Sequence, residues 1–473
     1  MNRANSRQYD ICILGGGPAG SIAALRLVLS GYRVCLVERM VFPRRHVGES
    51  LSAGIWPILE SLKLHGPVRS AGGVAAGETL VRWSEPRTEV IRSNRDWFVV
   101  DRGNFDTLLL RTAAAEGLDV FQPARIHAVL RCKNDGWQLN VVAGDESYAV
   151  DANYLVDATG RAGFLPGKRQ RLLPRTIAIC GRLRGRSRPA STLVEALSNS
   201  WCWGTPISGD RFSVMLFTDP DSLRSVGRVE LERFWRKQLA KTELFAEMSE
   251  WPLEGQLLAR DATSYFAADA FGLSCARVGE ASFALDPLSS TGVEKAMQSG
   301  HFAAIALHTL IKHPARAELC MRFCRERQRE TVVAHALWAS EFYARVKRYG
   351  NFPFWQIRAA QDGLKTKQSP PITRNANPTI TFGTSVRLSG EACAVEEACV
   401  VGNEICAETA LTHPALSRPV AFLGDFAVWP LLKMVASTQS LESLIGLWSA
   451  HIPRQQAYRM AKWLLAHHIL EAV

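Results

Sequence analysis

The sequence predicts an α/β fold: a Rossmann-like nucleotide-binding domain, an inserted antiparallel β-sheet substrate domain and a C-terminal helical module. Three observations carry this prediction. The 473-residue chain begins with an apolar strand, a glycine-rich turn and a helix-like run, which is the order of a nucleotide-binding βαβ unit. Apolar strands return at 154–157 and 273–278. Between them, residues 174–220 alternate as antiparallel strands do.

The glycine-rich turn is the most informative segment of the chain. Gly15, Gly17 and Gly20 form a G-x-G-x-x-G pattern between strand and helix. The first glycine of this pattern makes a tight turn, the second lets the backbone approach a pyrophosphate, and the third lets the helix pack on the strand. Glu38 ends the second strand, where its carboxylate can accept hydrogen bonds from a ribose. The residues assigned to this dinucleotide site are Gly15, Gly17, Pro18, Ala19, Gly20, Glu38 and Arg39.

Composition narrows the class of protein. No apolar run is long enough to span a membrane, so we expect no membrane partner and a cytoplasmic location. The 11 cysteines match no C-x-x-C spacing, which predicts structural thiols and no metal. The net charge is +11 and the pI is about 9.2. Because no nucleic-acid recognition fold accompanies this charge, it favours an anionic cofactor and an acidic protein substrate over nucleic acid.

The remaining elements follow in chain order. They are a helix from Arg102 to about Gly117, a meander of strands at 124–132, 136–142 and 148–151, and helical regions at 225–250 and 292–349. The composition of residues 366–378 is typical of a linker. The last 60 residues carry apolar stripes at helical spacing, which predict a small separate core. The predicted division is a nucleotide-binding domain in three parts (1–82, 101–173 and 266–365), substrate-domain segments at 83–100 and 174–265, and a linker with a C-terminal helical domain at 366–473.

Three segments far apart in sequence form one recognisable pattern: the glycine-rich turn, the strand end at 157–161 and the segment 278–294. Their order resembles the glutathione-reductase-type FAD-binding fold of the aromatic hydroxylases, geranylgeranyl reductases and flavin-dependent halogenases. The resemblance covers about residues 8–350. It implies FAD as the cofactor.

The resemblance also assigns residues to the flavin. Thr291, Gly292 and Val293 would place helix N-terminal N–H groups at the flavin pyrimidine edge. Glu280 stands where the family has aspartate against the ribityl chain, so this contact would be shifted or made through water. The further residues implied in FAD binding are Ser50, Arg102, Asp157, Gly160, Gly279, Asp286 and Pro287.

Two further motifs resemble the flavin-dependent halogenases in particular. Gly48-Glu49-Ser50 is similar to their Gly-Glu-Ser segment. The run Trp201-Cys202-Trp203-Gly204-Thr205-Pro206 is similar to their W-x-W-x-I-P element, with threonine in the isoleucine place. The resemblance implies that Trp201 and Trp203 separate flavin from substrate and that Pro206 belongs to the substrate site with them. The alternative is that the tryptophans are ordinary sheet aromatics on one face of a strand.

One departure from the halogenase pattern decides the predicted reaction. Halogenases need a lysine that captures hypochlorous acid and passes the halogen on, and it precedes a strand ending in tryptophan. Here that strand ends at Trp83, the matching position is near Ala75, and Lys63 is the only lysine nearby. Because alanine cannot relay halogen, the sequence favours an FAD-dependent monooxygenase acting on an electron-rich aromatic ring through a flavin C4a-hydroperoxide. The candidate catalytic acids or bases are Glu49, His46 and Glu294.

The expected substrate and partners follow from the resemblance. Some halogenase-like flavoproteins mature tryptophylquinone enzymes, notably those that accompany quinohaemoprotein amine dehydrogenases. This chain is similar to them in its scaffold, missing lysine, basic surface and added C-terminal module, so a tryptophan side chain in a protein or peptide is implied. The tail has the helix spacing of a small winged-helix or peptide-clasp domain, or it simply packs on the main body. No second G-x-G-x-x-G follows a strand, so NAD(P)H at the same site or a flavin reductase would supply electrons.

Three alternatives stay open. The chain could be a halogenase of an aromatic small molecule that uses an unrecognised lysine. It could be a reductase that saturates a prenyl chain, as geranylgeranyl reductases do. It could also be a non-catalytic FAD-binding chaperone for a maturing enzyme.

Overall fold

The computed structural model describes residues 7–75, 77–92, 97–132, 135–185, 189–207, 209–224, 226–227, 229–360 and 381–473. The chain divides into two compact units. The first comprises residues 1–317 and 324–362, and the second comprises residues 318–323 and 363–473. The predicted linker at 366–378 lies outside the described residues.

Most strands and helices belong to the first unit. Its strands are β1 (Arg7–Leu14), β2 (Val34–Val37), β3 (Ser50–Leu51), β4 (Val74–Ala75), β5 (Glu78–Arg82), β6 (Glu89–Arg92), β7 (Phe98–Val99), β8 (Asp119–Phe121), β9 (Arg125–Arg131), β10 (Trp137–Ala143), β11 (Glu146–Asp157), β12 (Arg169–Arg171), β13 (Ile177–Arg184), β14 (Thr192–Leu197), β15 (Ser200–Pro206), β16 (Arg211–Thr218), β17 (Leu258–Asp261), β18 (Tyr265–Ala267), β19 (Cys275–Arg277) and β20 (Phe283–Ala284). Its helices are α1 (Pro18–Leu29), α2 (Trp56–Ser61), α3 (His65–Ser70), α4 (Arg102–Ala115), α5 (Leu231–Leu239), α6 (Gly292–Lys312), most of α7 (Ala317–Ala344) and α8 (Pro353–Ala359).

A seven-stranded sheet carries the glycine-rich turn. Its strand order is β8-β2-β1-β11-β10-β9, and β19 also pairs with β11. β1 runs parallel to β2 and β11, so Ile13 lies between Leu36 and Val156. The meander strand at 148–151 and the core strand at 154–157, which were predicted separately, form the single strand β11, since no glycine or proline interrupts them. The carboxyl ends of the parallel strands therefore meet at one edge, which confirms the predicted Rossmann-like class.

Helices α1, α4 and α6 pack on this sheet. Ile11 and Ile13 of β1 share a buried core with Ile22 of α1 and Leu307 of α6. A Cβ on Gly300 of α6 would lie 2.2 Å from the Ala19 carbonyl oxygen. Glycine at this position therefore lets the two helix backbones approach closely, which holds the start of α1 in place.

A second seven-stranded sheet has the order β17-β13-β16-β15-β14-β5-β6. Apart from the parallel pair β14–β5, its neighbours run antiparallel. One face of this sheet packs on Trp235 and Leu239 of α5. The opposite face, which we call the inner face, packs on Tyr343 of α7 and Trp355 of α8. β5 ends at Arg82, so this sheet also takes in residues before the substrate-domain start predicted at 83.

The second unit has its own core around Trp448. Its strands are β21 (Ser385–Leu388), β22 (Cys393–Val401), β23 (Glu404–Thr412), β24 (Phe422–Leu423), β25 (Phe426–Ala427), β26 (Gln439–Ser440) and β27 (Leu470–Ala472), and its helices are α9 (Val428–Leu432), α10 (Leu441–Trp448) and α11 (Arg454–Ala466). The three helices correspond to the predicted apolar stripes. The strands, among them the hairpin β22–β23 that turns at Gly402 with φ +60°, were not predicted. Within the described part of the chain, no helix combines the length and apolar character that crossing a membrane requires.

Candidate functional site

The glycine-rich turn lies where β1 meets α1. Gly15 has a φ of +104°, and a Cβ there would lie 2.4 Å from the Ala158 carbonyl oxygen. A Cβ on Gly20 would lie 2.0 Å from the Gly15 carbonyl oxygen, so only glycine lets α1 start this close to the turn. A Cβ on Gly17 would have Arg44 Nη2 as its nearest neighbour, at 3.8 Å. No atom lies closer than ordinary van der Waals contact to this position, which leaves room for the approach of a pyrophosphate beside Arg44.

Glu38 closes this turn from the end of β2. Its Oε2 accepts a hydrogen bond from the Gly16 N–H at 2.7 Å, and its Oε1 accepts one from the Met40 N–H at 2.8 Å. Each carboxylate oxygen keeps a second lone pair, so a ribose hydroxyl can still donate to it. Pro18 and Ala19 are buried at the start of α1, whereas Arg39 is exposed.

Asp157 ends β11 beside the glycine-rich turn and is fully buried. Its Oδ1 accepts hydrogen bonds from the N–H and hydroxyl of Thr159, and its Oδ2 accepts from the N–H groups of Phe164 and Leu165. The carboxylate therefore fixes the loop after β11. A Cβ on Gly160 would meet nothing within 4 Å, so that backbone faces open space.

Gly279 and Glu280 follow β19. A Cβ on Gly279, which has a φ of +58°, would lie 3.0 Å from the Ala19 Cβ, and the Gly279 N–H donates to Ser299 Oγ at 2.7 Å. These contacts hold the segment close to α1. The Glu280 carboxylate accepts a hydrogen bond from Arg161 Nε at 3.1 Å. It is thus engaged by a side chain of the loop after β11.

Asp286 organises the turn before α6. Its Oδ1 accepts a hydrogen bond from the Leu288 N–H at 3.0 Å, in the 3₁₀ turn Pro287–Ser289. The hydroxyl of Tyr343 lies 3.0 and 3.2 Å from the two carboxylate oxygens and donates to them. Burial raises the pKa of both Asp286 and Tyr343. Tyr343 was not predicted, because nothing in the sequence indicates that α7 reaches this turn.

The start of α6 faces open space. Thr291 precedes the helix, and a Cβ on Gly292 would meet nothing within 4 Å. The first N–H groups of the helix have no partner within it, so they are available to a ligand. Val293 is buried, and its Cγ2 would lie 3.7 Å from a Cβ on Gly48. The structure therefore brings the start of α6 together with the Gly-Glu-Ser segment.

Glu49 is the most buried of the three candidate acids or bases, with 1% of its surface exposed. Its Oε2 accepts a hydrogen bond from the Gly48 N–H, and its Oε1 accepts one from Ser213 Oγ, both at 3.0 Å. Burial raises the pKa of Glu49, whereas nearby Arg182 and these hydrogen bonds oppose the shift. Its neighbour Ser50 lies in β3 opposite Val99.

His46 lies in the loop before Glu49. Burial lowers its pKa to about 4, and the charges of Arg102 and Arg44 lower it further. Its Nδ1 lies 2.8 Å from the Val47 carbonyl oxygen, so the neutral ring donates from that nitrogen. At neutral pH His46 is therefore an uncharged imidazole with Nε2 as an acceptor.

Arg102 supports the same loop from α4. Its Nη1 donates to the Val47 carbonyl at 2.9 Å, and its Nε and Nη2 donate to the two oxygens of Asp106 at 3.0 and 3.2 Å. Asp106 also pairs with Arg44 at 3.3 Å. The structure thus uses Arg102 to position the Gly-Glu-Ser loop. Asp106 was not predicted, although its position four residues after an arginine on one helix was a usable signal.

Glu294 lies in the first turn of α6. Ser52 donates a short hydrogen bond to its Oε2, and Gln298 Nε2 donates to its Oε1 at 2.9 Å. Lys295 Nζ lies 2.8 Å from the same Oε1. Glu294 is therefore a buried carboxylate with a lysine partner, and it connects α6 to the chain after β3.

The predicted tryptophans both lie on the inner face of the second sheet. Trp201 stacks on Phe217, with ring centroids 4.0 Å apart, and meets Trp83 edge-on at 5.9 Å. Trp203 and Pro206 are also buried in β15. This packing agrees with a role for Trp201 in an aromatic core that excludes water from the inner face.

Ala75, near which the sequence places the halogenase lysine, lies in β4. Ala75 is paired with Phe98 of β7. Lys63, the nearby lysine, has a φ of +58° directly after α2 and is exposed. Lys295 is more enclosed, with 22% of its side chain exposed.

FAD fits the residues that surround these openings. Gly160 and Gly292 each present backbone to open space, and the Cβ position of Gly17 is in ordinary contact with Arg44 Nη2. The pyrophosphate would lie against Gly17 and the N-terminus of α1. The flavin ring would lie near the start of α6, where Asp286 and Tyr343 fix the preceding turn.

The chain is similar in sequence to known FAD-dependent proteins. A family model described as FAD dependent oxidoreductase matches residues 10–166. A tryptophan 2-halogenase from Chondromyces crocatus is 29% identical over 376 residues, which cover 73% of this chain and 69% of that protein.

Two solved structures share the fold over nearly the whole chain. CmlS, a flavin-dependent halogenase, superposes with a TM-score of 0.80 at 21% identity and covers 98% of this chain and 96% of its own. QhpG, a peptidyl tryptophan dihydroxylase essential for tryptophylquinone cofactor biogenesis, superposes with a TM-score of 0.72 at 22% identity and covers 98% of this chain and 99% of its own. At these identities the likeness concerns the fold.

Proposed function

We propose that this chain is a monooxygenase that hydroxylates an electron-rich aromatic ring, on the basis of its FAD dependent oxidoreductase match over residues 10–166 and its similarity to flavin-dependent halogenases. FAD is its cofactor. When bound and reduced, FAD supplies the activation of dioxygen as an electrophilic oxygen. The protein orients the ring, excludes water and handles the protons.

A single observation carries this proposal. Counting back from Trp83 places the halogen-carrying lysine near Ala75, whose methyl group has no amine to capture hypochlorous acid. An oxygen transferred directly to the ring needs no such carrier. The alanine therefore supports hydroxylation over halogenation.

The chain's own residues supply the remaining functions. The aromatic core around Trp201 shields the inner face from water. Glu49, whose pKa is raised by burial, can hold a proton at its carboxyl group beside Ser213. We assign it the proton that the ring releases on regaining aromaticity. His46 and Glu294 shape the same loop and helix start, and we place them in positioning roles.

The substrate we propose is a tryptophan side chain in a protein or peptide, as in tryptophylquinone biogenesis. Two things support this choice: the basic net charge of +11, which suits an acidic polypeptide, and the fold shared with QhpG. NAD(P)H or a flavin reductase would reduce the flavin.

Halogenation is the second candidate function, and the comparisons favour it, since a halogenase is among the relatives at 29% identity. It requires a lysine at the site. Lys295 is the candidate, because it is largely enclosed and lies in the first turn of α6 beside Glu294. Its ammonium group would then carry the halogen.

The test compares the products of the two reactions. The FAD-loaded protein, a flavin reductase and NADH are given ¹⁸O₂ with either free tryptophan or a tryptophan-containing peptide, in buffers with and without bromide. Hydroxylation predicts one labelled oxygen on the ring regardless of bromide, and Lys295→Met retains it. A brominated product that Lys295→Met abolishes would overturn the proposal in favour of halogenation.

An engineered lysine provides a second test of hydroxylation against halogenation. Ala75→Lys restores an amine at the halogenase position. If the site otherwise resembles that of a halogenase, this variant gains bromination that the parent protein lacks. Bound FAD with no product from any substrate would support the non-catalytic chaperone.

A further inference from the structure

The inner face of the second sheet changes from polar to apolar side chains along its strands. Arg182 of β13 lies opposite Ser213 of β16, which lies opposite Thr205 of β15. The Thr205 hydroxyl lies 3.0 Å from that of Thr192 on β14. We call Arg182, Ser213, Thr205 and Thr192 the polar row. It crosses four strands side by side.

Two apolar rows follow the polar row at two-residue steps. The next row contains Cys180, Met215 and Trp203, and the one after it contains Ala178, Phe217 and Trp201. A step of two residues along a strand covers about 7 Å. A ligand on the inner face would thus meet hydroxyl and guanidinium groups at one end and aromatic rings at the other.

Arg182 has a buried donor that the protein does not use. Its Nη1 donates to Asp101 Oδ2 at 3.1 Å, whereas its Nη2 is buried and has no hydrogen-bond partner among the described residues. Only 9% of Arg182 is exposed. A buried guanidinium N–H without an acceptor is costly, so such groups usually have a partner in the functional complex.

Two carboxylates near Arg182, those of Asp101 and Glu49, are held by other groups of the protein. Asp101 caps α4 by accepting hydrogen bonds from the N–H groups of Gly103 and Asn104. Glu49 is held by Ser213 and the Gly48 N–H. Asp101 and Glu49 each already accept two hydrogen bonds in the protein, so we look to a bound molecule for the acceptor of Nη2.

We infer that Arg182 Nη2 binds an oxygen acceptor that the substrate carries beside its aromatic ring, either a free carboxylate or a peptide-like amide carbonyl. The inference rests on the proposed function for an aromatic substrate, and it places the ring of that substrate beside Trp203. The acceptor would lie about one two-residue step from that ring. This site selects aromatic compounds that carry such an oxygen over bare rings.

The test measures binding without turnover, so it does not depend on whether the ring is hydroxylated or halogenated. Indole-3-acetate, indole-3-acetamide and 3-methylindole are titrated into the FAD-loaded protein, and calorimetry and the visible flavin spectrum report binding. The protein is expected to bind the acetate or the acetamide at least about tenfold more tightly than 3-methylindole. A stronger effect with the acetate indicates a free carboxylate, and one with the acetamide indicates a peptide-like carbonyl. Equal binding of all three, or binding of none, would overturn the inference.

Variants of Arg182 assign the effect to its guanidinium. Arg182→Gln is expected to lose the preference while retaining the affinity for 3-methylindole. Arg182→Lys keeps a cation for Asp101 but has no second fork nitrogen, so it should fold like the parent and still lose the preference. Arg184→Gln, an exposed position on the same strand, is the matched control and should keep it. Unchanged preference in both Arg182 variants, or weakened FAD binding in their place, would contradict the assignment.

Discussion

At the residue scale, several residues predicted to bind FAD form hydrogen bonds within the protein itself. Asp157 accepts four hydrogen bonds from the loop after β11, and Glu38 accepts two from the backbone around it. Arg102 donates to Asp106 and to the Gly-Glu-Ser loop. Such residues set the shape of a cofactor site even where they do not touch the cofactor. Their substitution should therefore affect FAD affinity through the backbone they hold.

His46 yields a prediction about acid stability. Its pKa falls from 6.5 to about 4 on folding, because the buried ring resists charging. The folded state thus binds fewer protons than the unfolded state, so stability is lost as the pH falls from about 6.5 towards 4. We expect His46→Gln to remove up to about 3 kcal/mol of this pH dependence.

Denaturant unfolding at a series of pH values measures this effect. His127→Gln, at an exposed position in β9, provides the control and should leave the curve unchanged. Parallel curves for the parent and His46→Gln would show that His46 is not buried as a neutral ring.

At the element scale, the approach of α6 to α1 depends on a single missing side chain. A Cβ on Gly300 would lie 2.2 Å from a backbone oxygen of Ala19, which cannot move aside as a flexible side chain could. The two helices would have to separate, and the start of α1 would move with them. The glycine-rich turn therefore depends on a residue almost 300 positions away in sequence.

Gly300→Ala should destabilise the first unit by about 1–3 kcal/mol and weaken FAD binding. Gly446→Ala is the matched control, because it makes the same change in α10 with nothing within 4 Å of the new Cβ. There alanine should stabilise the helix by up to about 1 kcal/mol. Thermal unfolding and FAD titration check both variants, and an equal effect of the two would contradict the packing argument.

At the scale of the whole molecule, the two units have separate cores. Trp448 is fully buried in the second unit, and its Nε1 donates to the Leu431 carbonyl at 2.9 Å. Trp448→Ala should cost the second unit about 3–5 kcal/mol. Because FAD is assigned to the first unit, its binding should change little.

Calorimetry with flavin fluorescence separates these effects. The expected result is an earlier transition that leaves the release of FAD at its original temperature. Leu447→Ala, at an exposed position of the same helix, should change neither. Loss of FAD together with the second unit would show that the two unfold as one.

The sequence by itself determined the α/β class and the nucleotide-binding turn, since the G-x-G-x-x-G turn, its strands and its helix obey local steric rules. FAD was implied by the resemblance to flavoproteins. The sequence also located the Gly-Glu-Ser segment, and it predicts that no lysine stands in the halogenase position near Ala75. Only the tertiary structure decided that Tyr343 meets Asp286, that Ser213 meets Glu49, and that Arg182 keeps an unused donor. These contacts join residues on different elements, and their hydrogen bonds and pKa shifts depend on burial that no local pattern records.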